Sequence, residues 1–364
     1  MKKVLSLLCS LLILMIPAAV RASGVWYSFT ESNPPEDLGF LVQEYTGTVT
    51  ITFLGDCTLG GEEKNRLSSL SFQRRIDQNG YDYPFRNLTS LTASDDLTVA
   101  NLEVVLTDRN LSRVKKKFNF SGPTAYTEIL KAGSIECVTI ANNHSHDYGN
   151  EGYQDTKDAL EKAGIAFFGT DSVAVWKNED GLMIGFLGVS GSLSGDRAKA
   201  YREKAELLRH LGCSAVITVM HAGTEYEYEP DGYQKQIVSQ AVRCGSSLIV
   251  GHHPHVVNGF DVVDGVPVVY SLGNCSFGGN THPKDFDALV IRADLAFEEG
   301  ILSSLTLHFY PISISVDTHY NDYSPRLLTS SDAARVLEKM EKSTGWSLGT
   351  FDETQGAVVT VPAP

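Results

Sequence analysis

Between Thr139 and Gly152 the stretch TIANNHSHDYGNEG sets Asn142, Asn143, His144, His146 and Asp147 directly behind the apolar run CVTIA. Farther on, GHHPHV places His253 and His255 two residues apart around Pro254. On an extended segment those two rings project to one side, the proline stiffens the backbone between them, and His252 points the other way. With Asp56, Glu103, Asn143 and His221 they offer carboxylate, amide and imidazole donors. Such a mixed set suits Mn²⁺, Fe or Zn²⁺ better than Ca²⁺, which takes oxygen ligands alone. A carboxylate shared by two such ions is a usual arrangement for hydrolysing a phosphoryl or acyl bond. His144 then faces the substrate as general acid or anion contact, and Asp147, one helical turn on, orients it.

These side chains must be mounted on something, and the mounts are short runs rich in β-branched residues. TVTITFLGD ends at Asp56, LTVANLE at Glu103, CVTIANNH at His144, LMIGFLGVS at Ser190, AVITVMH at His221, SLIVGHHPH at His255 and VPVVYSLGN at Asn274. One Asp or His behind a strand is an ordinary cap; the same ending on nearly every run points to a common site. Open α/β sheets hold ligands at the carboxyl ends of their strands. Helical stretches fill the intervals, and YTEILKAG, GYQDTKDALEKAG and YQKQIVSQAVRCG each stop on glycine. The alternation predicts an α/β fold with a mainly parallel sheet. Past Leu295 come alternating strands, GILSSLTLHFYPISISV, and a late helix, SSDAARVLEKMEKS.

At 364 residues and 42% hydrophobic content, the chain can bury a full core. It opens with a basic start, an apolar segment from Val4 to Ile16, and Val20 and Ala22 at the spacing of a signal-cleavage site. Residues 1–22 therefore read as an export signal, with membrane anchoring as the outcome if it stays uncleaved. Residues 23–47 read as a loosely ordered lead-in, 48–318 as one domain, and 319–364 as a C-terminal extension whose helix packs on that domain. Cleavage removes Lys2, Lys3 and Arg21 and takes the formal charge from −14 to −17. So acidic an exported protein is a poor partner for nucleic acid. Five cysteines remain, Cys57, Cys137, Cys213, Cys244 and Cys275, an odd and scattered set in which a Cys213–Cys244 pairing stays open.

TFLGDCTLG, ANLEVVLT, ANNHSHDYGNEGYQDT, HAGTEYEYEP with YQKQIV, VGHHPHV and YSLGN occur in the order found in the CapA family of capsule-synthesis proteins. The chain resembles that family, which is associated with poly-γ-glutamate, from about Thr48 to Ile314. The family in turn is similar to calcineurin-like metallophosphoesterases. The resemblance implies a four-layer α/β/β/α sandwich with the site between the strand ends of two sheets, and it carries over Asp56, Glu103, Asn143, His144, His221, His253 and His255. The chain departs from the usual phosphoesterase at Cys57–Thr58, where Asp-x-His would supply another imidazole, so one metal position is expected to be weaker or empty. Ala222, Gly61 and Cys275 replace a Trp, an Arg and a Phe and alter the pocket wall.

Donor set and resemblance together imply an exported hydrolase or transferase using a divalent metal, in a mononuclear or dinuclear centre, on an anionic envelope polymer such as poly-γ-glutamate. The rival readings are a non-catalytic export or anchoring subunit of a membrane capsule-synthesis complex, and a general phosphoesterase acting on phosphorylated small molecules. In an acidic chain, contacts to an acidic polymer must come from local cations. Arg109, Arg113, Lys115, Lys116 and Lys117, just after NLEVVLTD, form such a cluster. The last four join Glu225 and Asn274 as candidate substrate-binding residues.

Overall fold

The computed structural model describes residues 24–35, Leu38 and 44–364, so the leader expected over 1–22 lies outside the described residues. Among those residues the strands form two large sheets and one two-stranded ribbon. The seven-stranded sheet runs, edge to edge, Gly24–Phe29, Val173–Asn178, Met183–Ser190, Ala215–His221, Leu248–His252, Val266–Leu272 and Val257–Val263. The path of the nine-stranded sheet is Arg326–Leu327, Ile301–Ser313, Asp287–Glu298, Gly47–Thr58, Leu97–Leu102, Cys137–Thr139 and Ala166–Phe168. Asn274–Phe277 adds to the strand Gly47–Thr58, and Ala357–Pro362 to Ile301–Ser313.

The period-two alternation of each strand sorts its side chains between cores. Val49, Ile51 and Phe53 enter a cluster with Phe186, Ile217, Val250 and Val269, which come from the other sheet. Leu54, and past the register shift between Leu54 and Asp56 also Cys57, face a second cluster with Phe72, Leu88, Ile129 and Leu160 from helices and the loops beside them. A third cluster joins Leu187, Val216 and Ile249 of the seven-stranded sheet to Tyr201, Leu208, Ile237 and Ala241 of the helices Gly195–His210 and Gly232–Arg243.

Two expectations need revision. The sheets are not mainly parallel: the seven-stranded sheet has a parallel interior between two antiparallel flanks, and the nine-stranded sheet is parallel from Gly47–Thr58 to its edge at Ala166–Phe168 and antiparallel on its other flank. The cause is local, since Asp264-Gly265 and Glu299-Gly300 all take positive φ and so make the two-residue turns that fold adjacent strands back on each other. Gly24–Phe29 is not loose either; it pairs antiparallel with Val173–Asn178 and buries Phe29. The C-terminal segment packs on the domain through its helix and its last strand. Helix Ser330–Thr344 puts Ala333, Val336, Leu337 and Met340, one helical stripe, into the core between the sheets, and Ala357 and Val361 of the strand Ala357–Pro362 join them there. Cys213 and Cys244 are both free thiols.

Candidate metal centre

Both sheets deliver ligand-type side chains from the carboxyl ends of their parallel strands. The nine-stranded sheet brings Asp56, near the end of Gly47–Thr58; Glu103, just past Leu97–Leu102; and Asn143, past Cys137–Thr139. The seven-stranded sheet brings His221 and His252, the last residues of paired strands, followed by His253 and His255. Two glycines permit the close backbone approach. A Cβ on Gly55 would run into the Gly273 carbonyl, and one on Gly251 into that of Tyr270.

The ligand atoms form two groups that share one carboxylate: Glu103 with His221 and His253, and Glu103 with Asp56 and His255. In the first, His221 Nε2 lies 2.8 Å from Asn143 Oδ1, 3.1 Å from His253 Nδ1 and 3.4 Å from Glu103 Oε1. In the second, His255 Nδ1 lies 3.2 Å from Asp56 Oδ2 and 2.8 Å from Asn274 Oδ1. Glu103 is fully buried, and neither of its carboxylate oxygens has a hydrogen-bond donor. Burial and Asp56 both push its carboxyl up, but His255 and His221 outweigh them and hold it below the usual range. An ionised, buried carboxylate without a donor is costly unless a cation completes it. The donors therefore fit a divalent ion on either side of Glu103.

Asp56 is fixed from several directions. Asn101 Nδ2 donates to its Oδ1 at 2.7 Å and lies 3.1 Å from His221 Nδ1, so one amide positions two ligands. The backbone N–H of His253 donates to Oδ2 at 3.3 Å. Burial alone would raise the Asp56 carboxyl, yet His252 and His255 hold it well below the usual carboxylate range. Within this cluster burial and neighbouring His221 depress His253 to about 4. Burial would depress His255 as well, but Glu103 and Asp56 prevail and push it up to about 9.

His144 sits beside the shared carboxylate, its Nε2 3.9 Å from Glu103 Oε1. Its other nitrogen, Nδ1, lies 2.8 Å from Asp147 Oδ2, and its ring stacks on Phe120 at 4.3 Å. Asp147 is fully buried, accepts from Phe120 N at 2.6 Å and pairs with Lys116. A cavity of about 330 Å³ opens in front of His144 and His255, walled by Phe120, Tyr226 and Phe277 and lined also by Arg66 and Glu225. Asn274 is buried behind His255.

Several residues occupy places that the sequence does not suggest. His252 does not point away: its Nδ1 is 3.3 Å from Asp56 Oδ1. His253 and His255 are not on an extended segment, for their φ values are 98° and 58°. Both lie in a region that costs a non-glycine residue roughly 1–3 kcal/mol, and the resulting kink sends the two rings into different groups. Lys116 is not a free surface cation, since its ammonium also donates to the Asn143 carbonyl at 2.8 Å. Arg109 is likewise committed, to Asp155 at 2.7 Å, which leaves Arg113, Lys115 and Lys117 exposed on that loop. Asn101 and Asn142 belong to the site as well, and their only signal in the sequence is their place inside ANLE and ANNH. Asn142 Nδ2 donates to Asn101 Oδ1 at 3.0 Å, and its Oδ1 accepts from His144 N at 3.0 Å, which shapes the loop that presents Asn143 and His144. No imidazole stands at Thr58, a buried residue.

The family described as "Bacterial capsule synthesis protein PGA_cap" matches residues 50–278, a span that contains every ligand of both groups. A capsule biosynthesis protein CapA of Bacillus anthracis is 27% identical over 360 residues, covering 92% of this chain and 81% of the relative. A PGA biosynthesis protein CapA of Bacillus subtilis (strain 168) is 26% identical over 268 residues, covering 67% of this chain and 68% of the relative.

Proposed function

Because the chain belongs to this bacterial capsule synthesis family, we propose that it is an exported hydrolase or transferase, dependent on a divalent metal, that acts on an anionic envelope polymer such as poly-γ-glutamate. The observation that carries the reading is Glu103, buried without a donor between two sets of ligand atoms. Asn143, His221 and His253 would hold an ion on one side of it and Asp56 and His255 on the other, the second position being poorer by one imidazole at Thr58. The metal, whether Mn, Fe or Zn, supplies Lewis acidity toward a phosphoryl or acyl group.

This chain's own residues do the rest. Asp147 fixes the Nδ1 side of His144, which leaves Nε2 as the end that moves a proton to or from the reacting group. Phe120 and Phe277 exclude water from one wall of the cavity. Arg113, Lys115 and Lys117 offer the exposed charge that would guide an acidic chain toward it. The partition of buried side chains into one core between the sheets and two beneath helices supports an α/β/β/α layering of the metallophosphoesterase kind. Among the described residues no helix is long and apolar enough to cross a membrane, so association with a membrane capsule-synthesis complex would rest on the leader or on surface contacts.

The test is metal analysis of the purified protein by mass spectrometry, followed by assays on γ-linked glutamate polymer and on generic phosphodiesters. Bound metal with turnover of the polymer is expected. Turnover of phosphoesters alone moves the assignment to a general phosphoesterase, and a metal-free, inert protein moves it to a non-catalytic polymer-handling subunit.

A further inference from the structure

A second cavity, also of about 330 Å³, lies on the other side of the Asn142–Asn143 loop, at the end of the strand Met183–Ser190. Val189, Leu193 and Ala200 line it, and Lys204, Arg197 and His146 bring it cationic or proton-donating groups. Lys204 is the unusual member. It is only 3% exposed, on the helix Gly195–His210, and its ammonium donates to the Thr170 carbonyl. No carboxylate among the described residues forms a salt bridge with it. Glu31 and Asp171 act on it from farther away, and Asp171 already accepts from Tyr153 Oη at 2.6 Å. Arg197 is exposed at the mouth, its guanidinium 3.4 Å from the Ser190 carbonyl. His146 is exposed there too, stacked on Tyr153 at 4.3 Å.

We infer that this cavity is a binding site for a carboxylate carried on a short aliphatic stem, with the carboxylate against Lys204 and Arg197 and the stem against Val189, Leu193 and Ala200. A buried ammonium with donors to spare is poorly compensated by one carbonyl, and an anion entering the cavity supplies what the described residues omit. The apolar lining next to the charge selects for carbon beside the carboxylate and against a fully hydrated inorganic anion. In a protein of net charge −14 such a pocket also works against the overall field, so its cations must act at short range. The choice of a glutamyl unit as occupant rests on the proposed polymer substrate; the cavity chemistry does not. As a subsite beside the metal centre it would hold one unit of an acidic chain while a neighbouring unit faces His144.

The test is calorimetric titration of the full chain with the dipeptide γ-glutamyl-glutamate and, separately, with inorganic phosphate. Lys204→Met is expected to weaken dipeptide binding about tenfold or more, the loss of a charged hydrogen bond. Arg197→Ala, at an exposed position where folding is not at risk, is expected to weaken it about two- to fivefold. His253→Ala, which breaks the metal centre reached only by the neighbouring unit, should weaken dipeptide binding less than Lys204→Met does. Dipeptide affinity unchanged in Arg197→Ala overturns the inference, as does phosphate binding more tightly than the dipeptide. Loss in His253→Ala without loss in Arg197→Ala also overturns it and assigns the dipeptide to the metal centre. A chain that carries no metal yet binds the dipeptide in an Arg197-sensitive way keeps this site and removes the hydrolase reading.

Discussion

Two histidine–carboxylate groupings in the molecule are built from the same chemistry and behave in opposite ways. On the antiparallel flank of the nine-stranded sheet, His308 contacts the Gln355 carbonyl through Nδ1 at 2.8 Å and Asp294 Oδ2 through Nε2 at 3.2 Å, while Thr50 Oγ1 donates to Asp294 Oδ1 at 2.8 Å. Each ring nitrogen meets an acceptor, and the carboxylate meets donors. At the strand ends, His221 Nε2 meets Asn143 Oδ1, His253 Nδ1 and Glu103 Oε1 together, and Glu103 meets no donor. Residue type does not separate the two; completeness of hydrogen bonding does. A closed pair ties Asp287–Glu298, Ile301–Ser313 and the C-terminal segment to one another, whereas an open one is arranged around something that arrives from outside.

The sharpest way to break this contrast is Glu103→Ala. With an ion in hundredfold excess over its Kd, the wild-type protein should gain about 2.7 kcal/mol of stability by linkage. The variant should lose that gain and all bound metal, because both groups share the carboxylate. A thermal melt with and without Mn²⁺ or Zn²⁺ reads it, and a metal-induced rise in Tm that survives in Glu103→Ala would make Glu103 a structural residue like Asp294.

Asn143→Ala and His144→Ala divide the open cluster itself. The first removes an amide oxygen from the His221 group and should lower metal occupancy. His144→Ala should leave occupancy intact and depress turnover by roughly 10²–10⁴-fold, the usual contribution of a general acid or base. Equal metal loss in both variants would contradict the division of roles.

The pH response should differ between the two sides of Glu103. His253, depressed to about 4, is neutral and able to bind metal at pH 7, whereas His255, raised to about 9, carries a proton that an ion must displace. Metal binding on the Asp56 side should therefore tighten by up to about tenfold per pH unit between 7 and 9, with release of one proton. For the metal-free protein the sign is the reverse. The contribution of His255 to stability is complete below its unfolded value near 6.5 and is lost as pH rises through about 9. Chelator competition at pH 7 and 9 decides the matter, and equal affinities would exclude His255 as a ligand.

The smallest effect belongs to the closed pair. The Asp294 hydrogen bond, opposed by burial, raises the His308 imidazole. Its stabilisation is thus fully present below about pH 6.5 and fades as pH climbs through the raised value. Screening at this part-exposed site limits the cost of His308→Gln to roughly 0.5 kcal/mol at pH 6. Denaturant melts should show that loss shrinking toward pH 9, with metal content unchanged. A fall in metal content would join the two regions that hydrogen bonding sets apart.

The donor inventory and its placement at strand ends are written in the sequence, because hydrophobic periodicity and residue type are local properties. LTVANLE and AVITVMH are legible as strands ending in ligands without any knowledge of each other. The Asp264-Gly265 turn goes unread beside that periodicity, and its positive φ values fold adjacent strands into a hairpin and hence an antiparallel flank. Which atoms meet depends on the packing of the two sheets. Glu103 becomes a shared carboxylate because Asp56, from an adjacent strand, and His221 and His253, from the other sheet, approach it from different sides. The positive φ at His253 and His255 and the contact of His252 with Asp56 follow from that packing and not from the His-His-Pro-His string. Lys116 makes the same point. In the string KKK it is indistinguishable from its neighbours, and only the folded loop brings its ammonium group to the buried carboxylate of Asp147. A charge in sequence is a property of the residue, while its partner is a property of the chain's path through space.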